Sequence, residues 1–204
     1  MLQRAVFLNA ARVGVFEGSI APSQSAGLLF LLDHWEKKQH GCVRCLAYAL
    51  ATATWETRTT MQPIEVGVEA GEDARFRGRG YLPCAGEDFY RRASTLCGID
   101  LVAQPEALLE PPVAAEVLFA GLMAGTFTSV PLTDYLGPTR VDWVGARHAV
   151  GTMDAALKTA NLVRVYWVAL QGASIRPDGE STESVDLGPQ TLAATDGVTD
   201  STRR

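Results

Sequence analysis

A mainly α-helical domain is what this sequence predicts, and three observations carry that expectation. Apolar residues recur at i, i+3, i+4 and i+7 in separate windows, 28–35 and 156–170 among them, which is the period of a helix with one face turned inward. Prolines and glycines stand at the ends of such windows, where helix starts and stops need them. An alanine-rich stretch, 46–63, carries Ala47, Ala49, Ala51 and Ala53; alanine favours helix and keeps the helix surface flat enough for close packing.

The elements follow in order. Residues 7–15 read as a short first helix closed by Glu17 and Gly18, and Pro22 opens a second that runs to about Lys38. In that second helix Leu28, Leu31, Leu32 and Trp35 face inward, with Asp33, Glu36, Lys37 and Lys38 on the solvated side. After a turn at 39–41 comes the alanine-rich helix, with Leu46, Leu50 and Ala53 as its inward face; the threonines after Glu56 and then Pro63 stop it near Arg58. From 61 to 85 the periodicity disappears in a glycine-rich loop that carries Glu65, Glu69, Glu72 and Asp73, although Phe76-Arg77-Gly78-Arg79-Gly80-Tyr81 reads as an ordered part of it. A loop of this length is usually functional or disordered. Helical patterning returns at Glu87 and ends at Gly98, with Phe89, Ala93 and Leu96 inward. One short turn follows at 106–109, and Pro111 and Pro112 open a helix that ends at Gly125. Residues 126–138 are turn-rich, 142–147 begin a short helix, and a last helix starts near Asp154 with a buried stripe of Ala156, Ala160, Val163, Trp167 and Leu170. Beyond Ser174 the composition turns to Ser, Thr, Asp, Gly and Pro, so the expected organisation is one domain over 1–173 and a flexible tail over 174–204.

Composition narrows the function classes. A length of 204 residues suits one domain plus a tail, and an apolar fraction of 47% suits a globular core. The net charge of -5 argues against a nucleic-acid partner, which selects basic surfaces. No apolar run nears the ~20 residues that span a bilayer, and polar residues interrupt the N-terminus too soon for a signal peptide. Four cysteines are present, and Cys42-Val43-Arg44-Cys45 has half of a zinc or redox spacing without a second pair or a His-rich partner motif. His40 could join the pair, but a fourth ligand would have to be Cys84 or Cys97; the plainer reading is thiols packed in or beside the core, with no metal and no cofactor expected.

Glu56 is the first candidate for chemistry. At the end of its helix the negative pole of the dipole disfavours the ionised carboxylate, and Trp55 beside it strips water, which acts in the same direction. A carboxyl kept protonated is what a general acid must be. The alternative from spacing alone is a surface carboxylate that ends an ordinary helix.

The order of segments resembles the short, phage-type branch of the family 19 glycoside hydrolases, which includes chitinase-like proteins and endolysins with a lysozyme-like helical fold. The resemblance runs through Phe16-Glu17-Gly18-Ser19, Leu31-Leu32-Asp33-His34-Trp35-Glu36, Leu46-Ala47-Tyr48-Ala49-Leu50-Ala51-Thr52-Ala53, Glu56-Thr57 and Met61-Gln62-Pro63-Ile64. It continues through Arg77-Gly78-Arg79-Gly80-Tyr81, Tyr90-Arg91-Arg92-Ala93, Gly98-Ile99-Asp100-Leu101-Val102, Leu132-Thr133-Asp134-Tyr135 and Asp142-Trp143-Val144-Gly145-Ala146-Arg147. It is collinear over about residues 5 to 170. It implies hydrolysis, with inversion, of a β-1,4 link in peptidoglycan or chitin, and a lysozyme-like domain with a long Gly-rich active-site loop. Glu56 falls on the general acid and Glu65 is the nearest carboxylate to the position of the base, with Glu69 and Glu72 further along the same loop. Trp55, Arg79, Tyr81, Tyr90 and Arg147 are the residues it places towards sugar, although Arg79 and Arg147 read equally as structural ion pairs. The implied partners are a peptidoglycan or chitin oligosaccharide, and other phage or particle proteins through the C-terminal tail, with neither nucleic acid nor membrane. The implied location is cytoplasmic until release, or virion-associated.

The chain also departs from the family pattern. Trp55 replaces the histidine before the acid, Val66 stands where the base falls, Pro83 replaces a glutamine, and Phe89 and Val150 replace two sugar-binding asparagines. Two hypotheses result. In one the chain is a glycosidase with Glu56 as acid and Glu65 as base. In the other it is a catalytically weakened or inactive relative that binds glycan or serves as a structural part of a phage-type particle, with Trp55 and Phe89 closing the cleft.

Overall fold

The computed structural model of the chain describes residues 2–38, 40–68, 71, 73–151 and 153–174. Six α-helices and one two-stranded antiparallel sheet make up the described residues, linked by 3-10 turns. In chain order they are α1 (Arg4–Gly14), α2 (Pro22–Lys38), α3 (Val43–Glu56), β1 (Ile64–Glu65), β2 (Arg79–Gly80), α4 (Glu87–Cys97), α5 (Pro111–Ala124) and α6 (Ala156–Ser174). The fold is therefore mainly α, as the periodicity predicts. Glu69, Glu72 and the tail beyond Ser174 lie outside the described residues, and with the tail goes its expected role as a flexible contact segment. Among the described residues no helix is long and apolar enough to cross a membrane.

The centre of the molecule is α3. Every residue from 45 to 54 is buried, because α2, α5 and α6 all pack on this helix, α6 most extensively. The expected inward stripe of Leu46, Leu50 and Ala53 is thus only part of the buried surface. The alanines explain how: a helix packed on several sides needs small residues between its larger knobs. Thr54, buried near the end, sends its hydroxyl to the Leu50 carbonyl at 2.8 Å and meets the Tyr166 hydroxyl of α6 at 2.8 Å. A polar atom this deep has its hydrogen-bonding needs met by its own turn and by one partner across the interface.

Two helix ends differ from their sequence expectation for visible reasons. The first helix begins at Arg4 instead of Phe7, and the Arg4 guanidinium pairs with Asp33 at 2.6 Å and Glu36 at 2.8 Å on α2. The last begins at Ala156, after a 3-10 turn over Met153–Ala155. Gly98 and Gly125 close α4 and α5 in the left-handed conformation, φ 72° and 70°, where glycine carries no steric penalty.

The glycine-rich region after α3 is more ordered than its sequence suggests. Ile64 pairs with Gly80 and Glu65 with Arg79 across the two short strands. Beneath them lies a second, smaller core of Phe76, Phe89, Tyr90, Leu101, Leu108 and Val113. The chain reaches the sheet by resting on α2: Gly27 is in such close contact with Met61 that a β-carbon there would run into the Met61 carbonyl oxygen.

Candidate functional site

Buried until Thr54, α3 surfaces at Trp55 and Glu56, which are its last two residues. Trp55 is 37% exposed. Both side chains line a groove of about 950 Å³ whose other walls are the end of α1 (Gly14, Val15), the strand β1 and its continuation (Ile64, Val66), Pro83, and one face of α6 (Lys158, Asn161, Leu162, Val165). The Lys158 ammonium lies 5.3 Å from the centre of the Trp55 ring, a cation–π contact that fixes the ring at the rim.

Glu56 is held by Arg147, whose Nη1 donates to Glu56 Oε1 at 2.9 Å. Arg147 belongs to the 3-10 turn Gly145–Ala149, and Asp142 anchors this turn by accepting from the Gly145 N–H at 2.7 Å. The arginine side chain is almost buried, and the glutamate is the more open partner. Tyr48, two turns before Glu56, has a buried hydroxyl without a hydrogen-bond partner among the described residues. Burial pushes its phenol up, Arg147 pulls it down, and the carboxylates of Asp142 and Glu56 push it up further.

Glu65 has a different setting. Its neighbours Ile64 and Val66 line the groove, and along an extended chain the residue between two such positions points to the opposite face. There Glu65 accepts from Arg79 Nε at 2.7 Å and from Arg77 Nη1 at 3.0 Å. Desolvation raises the carboxyl, and the hydrogen bonds and charges of Arg79 and Arg77 more than reverse this, so it lies below the ordinary carboxylate value. Arg79 also donates to the Arg75 carbonyl at 2.8 Å and to the Tyr90 hydroxyl at 2.9 Å, and that hydroxyl donates to the Arg77 carbonyl at 2.6 Å. Arg79, Tyr90 and Glu65 thus form one buried-to-exposed network that ties the sheet to α4. Tyr81 is 1% exposed, and its hydroxyl is unpartnered among the described residues.

Of the residues singled out from sequence, the structure brings together Trp55, Glu56 and Arg147. It places Glu65, Arg79 and Tyr90 in the sheet network and buries Tyr81. Phe89 packs against Phe127 and Tyr90 in the second core, with ring centres 5.7 and 5.9 Å away, so neither it nor Trp55 fills the groove. Sequence reasoning missed Lys158 and Asn161. They share a helix face with Leu162 and Val165 at i, i+3, i+4 and i+7, and a polar pair on that otherwise apolar face was the available signal.

Two cysteine and histidine groups bear on metal binding. His40 does not turn to Cys42 and Cys45. The ligand atoms of His40, His34 and Glu116 instead lie within 4.8 Å of one another. His34 Nε2 meets Glu116 Oε2 at 3.0 Å, and the Lys38 ammonium reaches the same oxygen at 3.5 Å. With a lysine already at that oxygen, the cluster reads as an ion-pair network that joins α2 to α5.

Compared with models of known protein families and with curated proteins, the chain matches neither a family nor a protein.

Proposed function

We propose that this chain is a glycoside-hydrolase-like protein of the family 19 type, with a lysozyme-like domain. Its groove binds a β-1,4-linked N-acetylglucosamine polymer, peptidoglycan or chitin, and its hydrolytic power is weakened or lost. The observation that carries this reading is the chemistry of the groove walls. Glu56, braced by Arg147, is the acidic residue among the described groove lining, whereas Ile64 of β1 and Val66 just after it line the groove and Glu65 between them pairs with two arginines.

An inverting glycosidase needs two carboxyl groups ~6.5–9.5 Å apart, one to protonate the leaving oxygen and one to activate water from the opposite side of the sugar. The resemblance assigns the first task to Glu56, which Arg147 holds on the groove wall as an ion pair. Val66 occupies the position at which the resemblance puts the second, and a valine cannot take a proton from water. General-base assistance typically contributes about 10²–10⁴ in rate, so a groove without it retains binding and loses most turnover. Binding is supported by the open groove itself: Trp55 offers a ring face at the rim, and Lys158 and Asn161 offer hydrogen-bond donors, over an apolar floor. Aromatic rings with nearby polar groups are how concave sites hold and orient a ligand. The active-hydrolase reading names Glu65 as its base, with Glu69 and Glu72 as alternatives outside the described residues, and the carboxyl of Glu56 on the groove wall is the observation in its favour.

Co-sedimentation with insoluble peptidoglycan and with chitin tests the proposal. The expected outcome is retention on one of the two polymers, reduced at least tenfold in Trp55→Ala, with little or no release of soluble fragments. Rapid release that Glu56→Gln abolishes would establish the active enzyme instead. Retention on neither polymer would reject the glycan reading altogether.

A further inference from the structure

The proposed glycan groove leaves the Cys42-Val43-Arg44-Cys45 motif unused, and its geometry is specific. Cys42 is the N-cap of α3, with its sulfur accepting from the Cys45 N–H at 3.3 Å. The two sulfurs are 2.9 Å apart, and both cysteines are free thiols. Cys42 is partly exposed and Cys45 is 1% exposed. Contact with the Cys45 thiol lowers the Cys42 thiol, burial opposes this, and the backbone N–H groups of Cys45 and Arg44 and the Arg44 charge lower it further. The same contact and burial push Cys45 strongly upward. Arg44 is held beside the pair by its bond to the Gly137 carbonyl at 2.8 Å and by the Trp167 ring, 5.2 Å away. The other two cysteines behave differently: burial pushes Cys84 up to about 12 and raises Cys97 as well.

A partly exposed thiolate at a helix N-terminus beside a buried thiol is the division of labour that thiol–disulfide exchange requires, one sulfur to attack and one to resolve. Among the described residues a metal reading lacks a third ligand, because His40 clusters with His34 and Glu116 and not with the two thiols.

We propose that Cys42 and Cys45 form a redox-active dithiol that exchanges with small dialkyl disulfides and closes into a Cys42–Cys45 disulfide at the start of α3. In the first step the Cys42 thiolate attacks one sulfur of the incoming disulfide, forming a mixed disulfide and expelling one small thiolate. In the second, Cys45 gives up its proton and its sulfur attacks Cys42, expelling the second small thiolate. Two protein thiols are oxidised, one small disulfide is reduced, and the two protons end on the departing thiols. The inference is independent of the groove, which lies at the other end of α3.

Oxidised glutathione, added to the reduced full-length chain and followed by intact mass, is the test. Wild type should lose the mass of two hydrogens and carry no lasting adduct. Cys45→Ser (or Cys45→Ala, should the serine disturb the core) should trap glutathione on Cys42, and Cys42→Ser should do neither. At pH 6 iodoacetamide should alkylate Cys42 at least about tenfold faster than Cys84 or Cys97. A lasting glutathione adduct on wild type, or a Cys42 no more reactive than the other cysteines, would overturn the proposal.

Discussion

Glu56 and Arg147 meet across 91 residues of chain, and the groove depends on that meeting. The arginine is nearly buried and its charge is matched by the glutamate, so removing either partner leaves a charge poorly compensated. Arg147→Ala is expected to cost on the order of 2 kcal/mol of unfolding free energy. In a double-mutant cycle with Glu56→Gln the two losses should fall short of additivity by at least about 0.5 kcal/mol, and denaturant melts of the four proteins measure it. Additive losses would mean that the pair contributes nothing of its own. Glu65 makes a second residue-scale prediction. Its folded-state carboxyl lies below the ordinary value, so the stability from its arginines is present above that value and is lost as pH falls through the folded pKa. Because the side chain is about a third exposed, the contribution is discounted to roughly 0.2–1 kcal/mol. The melting-temperature gap between wild type and Glu65→Gln should therefore be present at neutral pH and shrink as the pH falls below the ordinary carboxylate range.

At the scale of elements, close packing around α3 and α2 sets where the groove wall runs. Gly27 lets the Met61 backbone lie on α2, and β1 begins three residues after Met61, at Ile64. Gly27→Ala gains up to ~1 kcal/mol in helix propensity, but the added methyl forces Met61 away and overpacking typically costs about 1–3 kcal/mol. Net destabilisation is expected, read as a melting temperature lower by a few degrees; an unchanged or higher value would show that the loop yields freely. Much at this scale was legible in the sequence. Pro22, Gly98 and Gly125 mark helix ends, and Leu28, Leu31, Leu32 and Trp35 mark a buried face. The sheet was not, because strands of two residues carry no periodicity, and the direction of Glu65 depends on a pairing partner 14 residues away. The full burial of α3 was equally hidden, since alanine reads as helical whether one side or several are covered.

At the scale of the molecule, the described residues form a helical body with a groove that has Glu56 on one wall and Ile64 and Val66 on another. Trp55 and Glu56 could be singled out from sequence because they are adjacent and end a helix. Arg147, Lys158 and Asn161 join them through tertiary packing alone, and of these only Arg147 was marked in advance, by resemblance. The central claim is that the groove retains its acid and lacks a base at Val66. Its most direct test is the rate at which wild type, Val66→Glu and Val66→Glu/Glu56→Gln clear suspensions of peptidoglycan and of chitin. Slow or absent clearing by wild type, a rise of about tenfold or more in Val66→Glu and loss of that gain in the double variant are expected. Brisk clearing by wild type that Val66→Glu leaves unchanged or lowers would contradict the claim.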